Sequence, residues 1–206
     1  MTRILVVRHG HVPGIEPPRF RGRREVPLTA LGQRQAAATA ARIAATRKVA
    51  AVWTSPVQRC VATGQAIATA TGAPAKVAGA LNDLDYGDWT WLTHAAARAA
   101  DPDLYDRWYA APATVRFPGG ESLQDLVLRA GDALRLAAAE AVDDGRVLVL
   151  VTHDSVGRAV LMQALDQPLS AYRRLVISPC GITEIDAAGA GTQVLGVNAT
   201  EHLAGL

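Results

Sequence analysis

The stretch Ile4-Leu5-Val6-Val7-Arg8-His9-Gly10 decides the fold. Four β-favouring apolar residues run into a polar, glycine-containing triplet. That reads as a buried strand over residues 3–7 breaking into a loop. A guanidinium and an imidazole then stand side by side where the strand ends. In open α/β sheets, ligands bind at that edge. The chain makes the same statement once more, where Val147-Leu148-Val149-Leu150-Val151 runs into Thr152-His153-Asp154. Two buried strands, each delivering a histidine at its C-terminal end, point to one site with two imidazoles.

The intervening chain alternates helix and strand signals. Residues 10–28 hold four prolines and three glycines and read as a long loop, a length that usually marks function. Thr29 caps a helix running through Ala36–Thr46. Val49–Trp53 is a short strand. Ser55-Pro56 reads as the N-cap and first position of a helix that runs to about Thr71 and stops at Gly72. Lys76-Val77 is a third strand. Residues 81–120 differ from the rest: they carry Trp89, Trp91 and Trp108 with Tyr86, Tyr105 and Tyr109, and read as a lid-like insertion over the site. Ser122-Leu123-Gln124-Asp125 resembles a capping box with Asp in the Glu place, opening a helix to about Val142. A strand over 146–151 and a helix from about Ser155 to Leu165 follow. Late strands are predicted at 174–178, 181–186 and 193–198. Strands alternating with helices predict an α/β layered fold, read as one domain over 1–206.

Composition narrows the function classes. The 206 residues are half apolar, enough for an ordinary core. No run reaches the roughly 20 apolar residues of a membrane span. The first strand starts almost at once, leaving no room for a signal peptide, so the cytoplasm is the expected compartment. Cys60 and Cys180 form neither a disulfide framework nor a metal spacing. Twenty-one basic residues against 19 acidic ones give +2, too balanced to imply nucleic acid. The bases are clumped, however, with Arg19, Arg21, Arg23 and Arg24 within six positions. Arg21 is the one expected to face an anionic ligand.

On this scaffold Arg8, His9, Arg59 and His153 arrive at one sheet edge. Two guanidinium forks and two imidazoles suit a compact dianion such as phosphate. A neutral imidazole can attack phosphorus. The arginines and the second histidine then surround the transferred oxygens with positive charge, without a metal or cofactor. A departing oxygen needs a proton, and Leu81-Asn82-Asp83-Leu84-Asp85-Tyr86-Gly87-Asp88-Trp89 offers three carboxyl groups.

The same residues carry a family resemblance. Arg8-His9-Gly10 resembles the signature of the histidine phosphatase superfamily, in its phosphoglycerate-mutase-like branch. Phe20-Arg21-Gly22, Val26-Pro27-Leu28-Thr29 with Gly32, Ser55-Pro56 with Arg59 and Thr63, Asp83 to Trp89, Pro118-Gly119-Gly120-Glu121-Ser122, and Val151-Thr152-His153 follow in the family's order. The matches span residues 3–158. The resemblance implies a three-layer α/β/α sandwich around a mixed, mostly parallel sheet. It implies a phosphohistidine on His9, phosphoryl binding by Arg8, Arg59 and His153, and a general acid at Asp83, where the branch usually has glutamate. Asp85 is the second choice. His11 sits in a variable slot and is carried as a substrate contact. Val12 and Ile15 are apolar where the family has polar groups, and Thr90-Trp91 replaces Glu-Gly. An apolar part of the substrate is therefore expected near Val12, Ile15 and Trp91. Trp89 and Trp91 otherwise pack the lid, and His94 and His202 read as surface residues.

The implied activity is metal-independent hydrolysis of a small phosphate monoester. Three other readings stand beside it. A mutase would return the phosphoryl group to a bound product. His9-x-His11 with His153-Asp154 would ligate a metal, as in amidohydrolases. A non-catalytic anion-binding module would keep only the fold. The partner expected is a small phosphorylated metabolite, with neither nucleic acid nor membrane; a late edge strand leaves room for a homodimer.

Overall fold

A computed structural model describes residues 3–140, 144–187 and 191–206. Six strands form one sheet: β1 (Arg3–Arg8), β2 (Val49–Thr54), β3 (Ala75–Val77), β4 (Val147–Thr152), β5 (Ile182–Asp186) and β6 (Gln193–Ala199). Their spatial order is β3-β2-β4-β1-β5-β6. The pairs β3–β2, β2–β4 and β4–β1 are parallel, and β1–β5 and β5–β6 are antiparallel. The two histidine-bearing strands are thus direct neighbours, with Arg8 opposite Thr152.

Period-two alternation builds the two faces. Leu5 and Val7 of β1 join Val147, Val149 and Val151 of β4 on one face, packed against Ala40, Ile43, Ile67 and Ala68. Those four lie on α1 (Ala30–Thr46) and α2 (Gln58–Thr71). Ile4, Val6, Leu148 and Leu150 point the other way, into a core with Leu126, Ala130, Val156 and Val160. These come from α5 (Leu123–Glu140) and α6 (Asp154–Ala164). Both strands read as continuous apolar runs because helices cover both faces. Each fully buried aliphatic side chain stabilises the fold by about 1.5–3 kcal/mol. The three-layer mixed sheet agrees with the reading of the sequence.

Local signals mostly held. Thr29 caps α1, its side chain accepting from the Gly32 amide at 3.1 Å. The Ser122–Asp125 box forms: the Ser122 amide donates to Asp125 Oδ2 at 2.8 Å, and the Asp125 amide to Ser122 Oγ at 3.2 Å. The predicted end of that helix near Val142 lies outside the described residues.

Two expectations fail. Ser55 is not the N-cap of α2; Val57 takes that position. Ser55 Oγ is instead hydrogen-bonded to His153 Nε2 at 2.8 Å, so a partner distant in sequence claimed it. No strand forms over 174–178. A 3-10 turn occupies Leu169–Arg174, and the chain then passes the site, where the Ile177 carbonyl accepts from Arg8.

Residues 81–120 fold as short 3-10 turns with α3 (His94–Ala100) and α4 (Pro102–Ala110). Their aromatic rings close on Phe20 from the long loop, with Phe20–Trp89 and Phe20–Tyr86 centroids both 5.1 Å apart. Backbone hydrogen bonds stitch the loop to this segment: the Phe20 amide donates to Leu92 O at 3.0 Å and the Trp91 amide to Phe20 O at 2.6 Å. No described helix is long and apolar enough to cross a membrane.

Candidate active site

The His9 amide donates to the Thr152 carbonyl at 2.9 Å, so β1 and β4 release their histidines in register. The two ring centroids lie 5.3 Å apart, edge to face, and both residues are 1 % exposed. Gly10 follows because the loop must cross the start of α1: a Cβ there would sit 2.5 Å from the Gly32 carbonyl oxygen. Gly32 is constrained in turn, since its own Cβ would meet the His11 carbonyl.

Hydrogen bonding defines the His9 tautomer. Nδ1 lies 2.7 Å from the Gly10 carbonyl, which only accepts, so Nδ1 carries the proton. Nε2 then holds the lone pair, and Arg59 Nε donates to it at 3.2 Å. Burial, then the charges of Arg59, His153 and Arg8, push the His9 pKa well below the ordinary 6.5. His153 is lowered in the same way by burial, then by Arg59. Both rings are neutral near pH 7.

Arg59 is the hub. It is wholly buried near the start of α2 and ties the long loop to the site. Nη1 donates to Arg24 O at 2.8 Å, and Nη2 to Gly22 O at 2.6 Å and Asp83 Oδ2 at 3.0 Å. The His153 Nδ1 atom lies 3.1 Å from the same Nη2. Asp83 is fixed from every side. Its Oδ1 accepts from Ser155 Oγ at 2.5 Å and from the Leu84 amide at 2.9 Å. Behind it, Arg129 of α5 clasps three carbonyls, those of Ala80, Asn82 and Asp83, and pairs with Glu121 through two nitrogens.

Two cavities that share lining residues open at this edge. A small inner one, about 30 Å³, is lined by His9, Gly22, Asp83 and Ser155. An outer chamber of about 300 Å³ is lined by Arg8, Ile15, Phe20, His94, Arg158 and Arg173, among others. Arg19, Arg21, Tyr86 and Asp154 line both. Arg8 is half tied, donating Nη1 to Ile177 O at 2.5 Å. Burial, countered by Asp154 and reinforced by Arg21, lowers its pKa to about 10, so it stays charged near neutrality. Arg21 donates to Gly14 O at 2.6 Å and spans the boundary between the cavities.

The structure therefore brings together His9, His153, Arg8, Arg59, Asp83 and Arg21. It does not bring in His11, whose Nδ1 sits 2.9 Å from Thr29 Oγ1 on the outer side of the loop. Nor does it bring in Asp85, which pairs with Arg23 at 3.2 Å and caps the Gly87 amide at 3.0 Å. The expected apolar patch is also dispersed. Val12 is fully buried; Trp91 lies outside both cavities beneath Arg19 and Arg24; of the three, only Ile15 faces the chamber. His94 is not a plain surface residue: its ring packs 4.5 Å from Phe20 and lines the chamber. His202 is half-buried against Thr39 at 2.9 Å.

Sequence reasoning passed over Ser155, Arg129 and Arg158 as site residues, read Ser55 as a helix cap within a family motif, and placed Asp154 only in the metal-ligating alternative. For Ser155, Asp154 and Arg158 the signal was position alone, on the turn after His153. For Arg129 the sequence offered none.

Two neighbouring strand-end histidines under guanidinium charge, at one edge of an α/β/α sandwich, suit a compact dianion such as phosphate. The model of the histidine phosphatase superfamily (branch 1) matches residues 4–200, and the chain belongs to that family. The bifunctional protein Rv2228c of Mycobacterium tuberculosis is 34 % identical over 207 residues, covering 98 % of this chain and 55 % of that protein. The chain thus spans about half the length of that curated relative. Among solved structures, YhfR of Bacillus stearothermophilus superposes with a TM-score of 0.92 at 25 % identity, covering 98 % of this chain and 100 % of that one. The mycobacterial glucosyl-3-phosphoglycerate phosphatase Rv2419c, in complex with VO3, gives 0.86 at 27 % identity, covering 97 % and 100 %.

Proposed function

We propose that this chain is a metal-independent phosphatase that hydrolyses a small phosphate monoester through a phosphohistidine on His9. The observation that carries the reading is the His9 ring: its Nδ1 proton is committed to the Gly10 carbonyl, which leaves Nε2 as the lone-pair nitrogen beside Arg59. A neutral imidazole is already in its nucleophilic form, so no base is needed to activate it.

In this reading the ester phosphorus meets Nε2 at the inner cavity. Arg8 and Arg59 neutralise the equatorial oxygens, with His153 beside them as a neutral imidazole, while the P–O bond breaks. The incoming phosphoryl dianion draws on the charge of Arg59 and favours the protonated form of Asp83, which takes up a proton from solvent and passes it to the leaving oxygen. Water then attacks the phosphohistidine, Asp83 accepts the water's proton, and phosphate leaves with His9 regenerated. Arg129 and Ser155 act through Asp83 by holding its segment and its carboxyl group. The compact partner is a phosphorylated metabolite, in line with a relative named as a glucosyl-3-phosphoglycerate phosphatase. The cationic setting of His9 opposes a bound dication, and the His11 ring is committed to Thr29, which weighs against the two-histidine metal reading.

The test is a phosphate-ester panel assayed with excess chelator. Wild type should release free phosphate, and His9→Ala should lose at least about 10⁴-fold in kcat/KM while keeping its fold. Activity that needs added metal, or that survives in His9→Ala, contradicts the proposal. Transfer of the phosphoryl group to a second metabolite, with little free phosphate, would make the chain a mutase. Phosphate binding without turnover would make it an anion-binding module.

A further inference from the structure

We propose that Asp154 is a specificity-determining residue, selecting phosphate esters whose leaving group carries a hydrogen-bond donor, a hydroxyl or an ammonium, close to the ester oxygen. The proposal rests on the phosphatase reading above and names the substrate class for that same site.

Asp154 stands at the junction. It lines the inner cavity with His9 and the outer chamber without it, so it faces the path a leaving group takes away from phosphorus. It is the one carboxylate among the residues lining the outer chamber, beside five arginines. Its side chain is held in place: Oδ2 pairs with Arg158 Nη2 at 3.0 Å, and the Arg158 guanidinium lies 5.2 Å from the Tyr172 ring centroid. Oδ1 is enclosed and has no hydrogen-bond partner among the described residues.

Asp83, the other carboxylate of the inner cavity, is in the opposite condition. Both its oxygens are occupied, by Ser155, Leu84 and Arg59. The carboxylate with hydrogen-bonding capacity left beside the reacting centre is therefore that of Asp154, whose side chain is 27 % exposed and lines both cavities. An acceptor left unpaired is costly, and a negative charge near an incoming phosphoryl dianion is repulsive. Both penalties are relieved when the leaving group brings a donor to this carboxylate. An alkyl group of the same shape relieves neither, and sites built this way discriminate strongly against analogues that lack the donor.

Three isosteric esters read the effect: n-propyl, 2-hydroxyethyl and 2-aminoethyl phosphate, with p-nitrophenyl phosphate as reference. Wild type should favour at least one donor-bearing ester over the propyl ester by about tenfold or more in kcat/KM. The better of the two tells hydroxyl from ammonium. Asp154→Ala should level the three to within about twofold. Asp154→Asn, which keeps shape and one acceptor oxygen but no charge, should reduce an ammonium preference more than a hydroxyl preference. A merely structural role for Asp154 would slow all three esters alike and leave their ratios unchanged, which overturns the proposal. Equal turnover of the three by wild type, with p-nitrophenyl phosphate still hydrolysed in a His9-dependent way, overturns the subsite and leaves the phosphatase reading standing. No turnover of any ester overturns both.

Discussion

The inner cavity and the outer chamber share a wall but are built on opposite terms. Around His9, the charged groups are largely tied to protein partners: Arg59 to two carbonyls, a carboxylate and an imidazole; Asp83 to a serine, an amide and Arg59. Among the chamber's residues, Arg8 Nε and Arg158 Nε, and on the wall common to both cavities Arg21 Nε and Asp154 Oδ1, have no partner among the described residues. Arg173 lies 3.8 Å from the Tyr109 ring centroid and donates to Trp108 O at 3.2 Å. On the proposed reading, the tied half is a fixed electrostatic cradle for a phosphoryl group, whatever is attached to it. On the same reading, the untied half keeps its hydrogen-bonding capacity for what differs between substrates, and chemistry and specificity should be separable by mutation.

The hardest test of that separation is Arg59→Ala. It removes the donor to His9 Nε2 and leaves Asp83 as a buried carboxylate without its ion pair. Uncompensated buried charge costs about 3–5 kcal/mol, so thermal denaturation should show a large loss of stability. Activity should fall about 10³-fold on every ester alike, because the loss lies on the generic side. Arg59→Lys should not restore it, since one ammonium cannot reach donors placed by a planar fork. A near-wild-type Arg59→Ala would break the comparison.

Asp83→Asn comes next. Activity should drop about 10²–10³-fold with poor leaving groups and much less with p-nitrophenyl phosphate, which departs without a proton. Equal loss with both classes would move the acid role elsewhere.

Acid titration sharpens the same contrast through stability. Burial, with Arg59, lowers the pKa of both site imidazoles well below 6.5. Below about pH 6.5 the unfolded chain binds protons that the folded chain refuses. The stabilisation is therefore complete above that pH and is lost as pH falls toward the folded values. Each imidazole contributes up to about 1.4 kcal/mol per pH unit. His94 and His202, also lowered by burial, act in the same direction. The melting temperature should fall steadily from pH 6.5 to 5; a flat profile over that range would mean the rings are not held neutral.

The smallest effect belongs to Asp85→Asn. Its pair with Arg23 is partly exposed, a class of ion pair worth about 0–1 kcal/mol. Activity within about twofold of wild type is expected, because Asp85 reaches neither cavity. A large loss would reverse the assignment between the two aspartates.

Much of this was legible in the sequence, where local physics decides. The two apolar runs ending in Arg8-His9 and Thr152-His153 placed both imidazoles, because a buried parallel strand has one readable pattern and one functional end. Thr29 and the Ser122–Asp125 box were legible because capping is settled within a few residues. What escaped was non-local. Ser55 carries a good cap signal but is held by His153, 98 positions away. Val12 looked like a substrate contact because it departs from a polar family position, yet its side chain packs into the core. His11 follows the Arg8-His9-Gly10 triplet, but the loop's turn against α1 points its ring at Thr29. Arg129 acts on Asp83 from a helix on the far side, and no spacing announces that.

The central claim is that phosphorus becomes bonded to His9 Nε2. Wild-type protein should be mixed with p-nitrophenyl phosphate, quenched in alkali, where phosphoramidate bonds persist, and its peptides weighed. The account predicts one added phosphoryl group on the peptide containing His9, absent from His9→Ala. A phosphoryl group on any other residue, or hydrolysis at full rate with no phosphorylated peptide at any time, would contradict it.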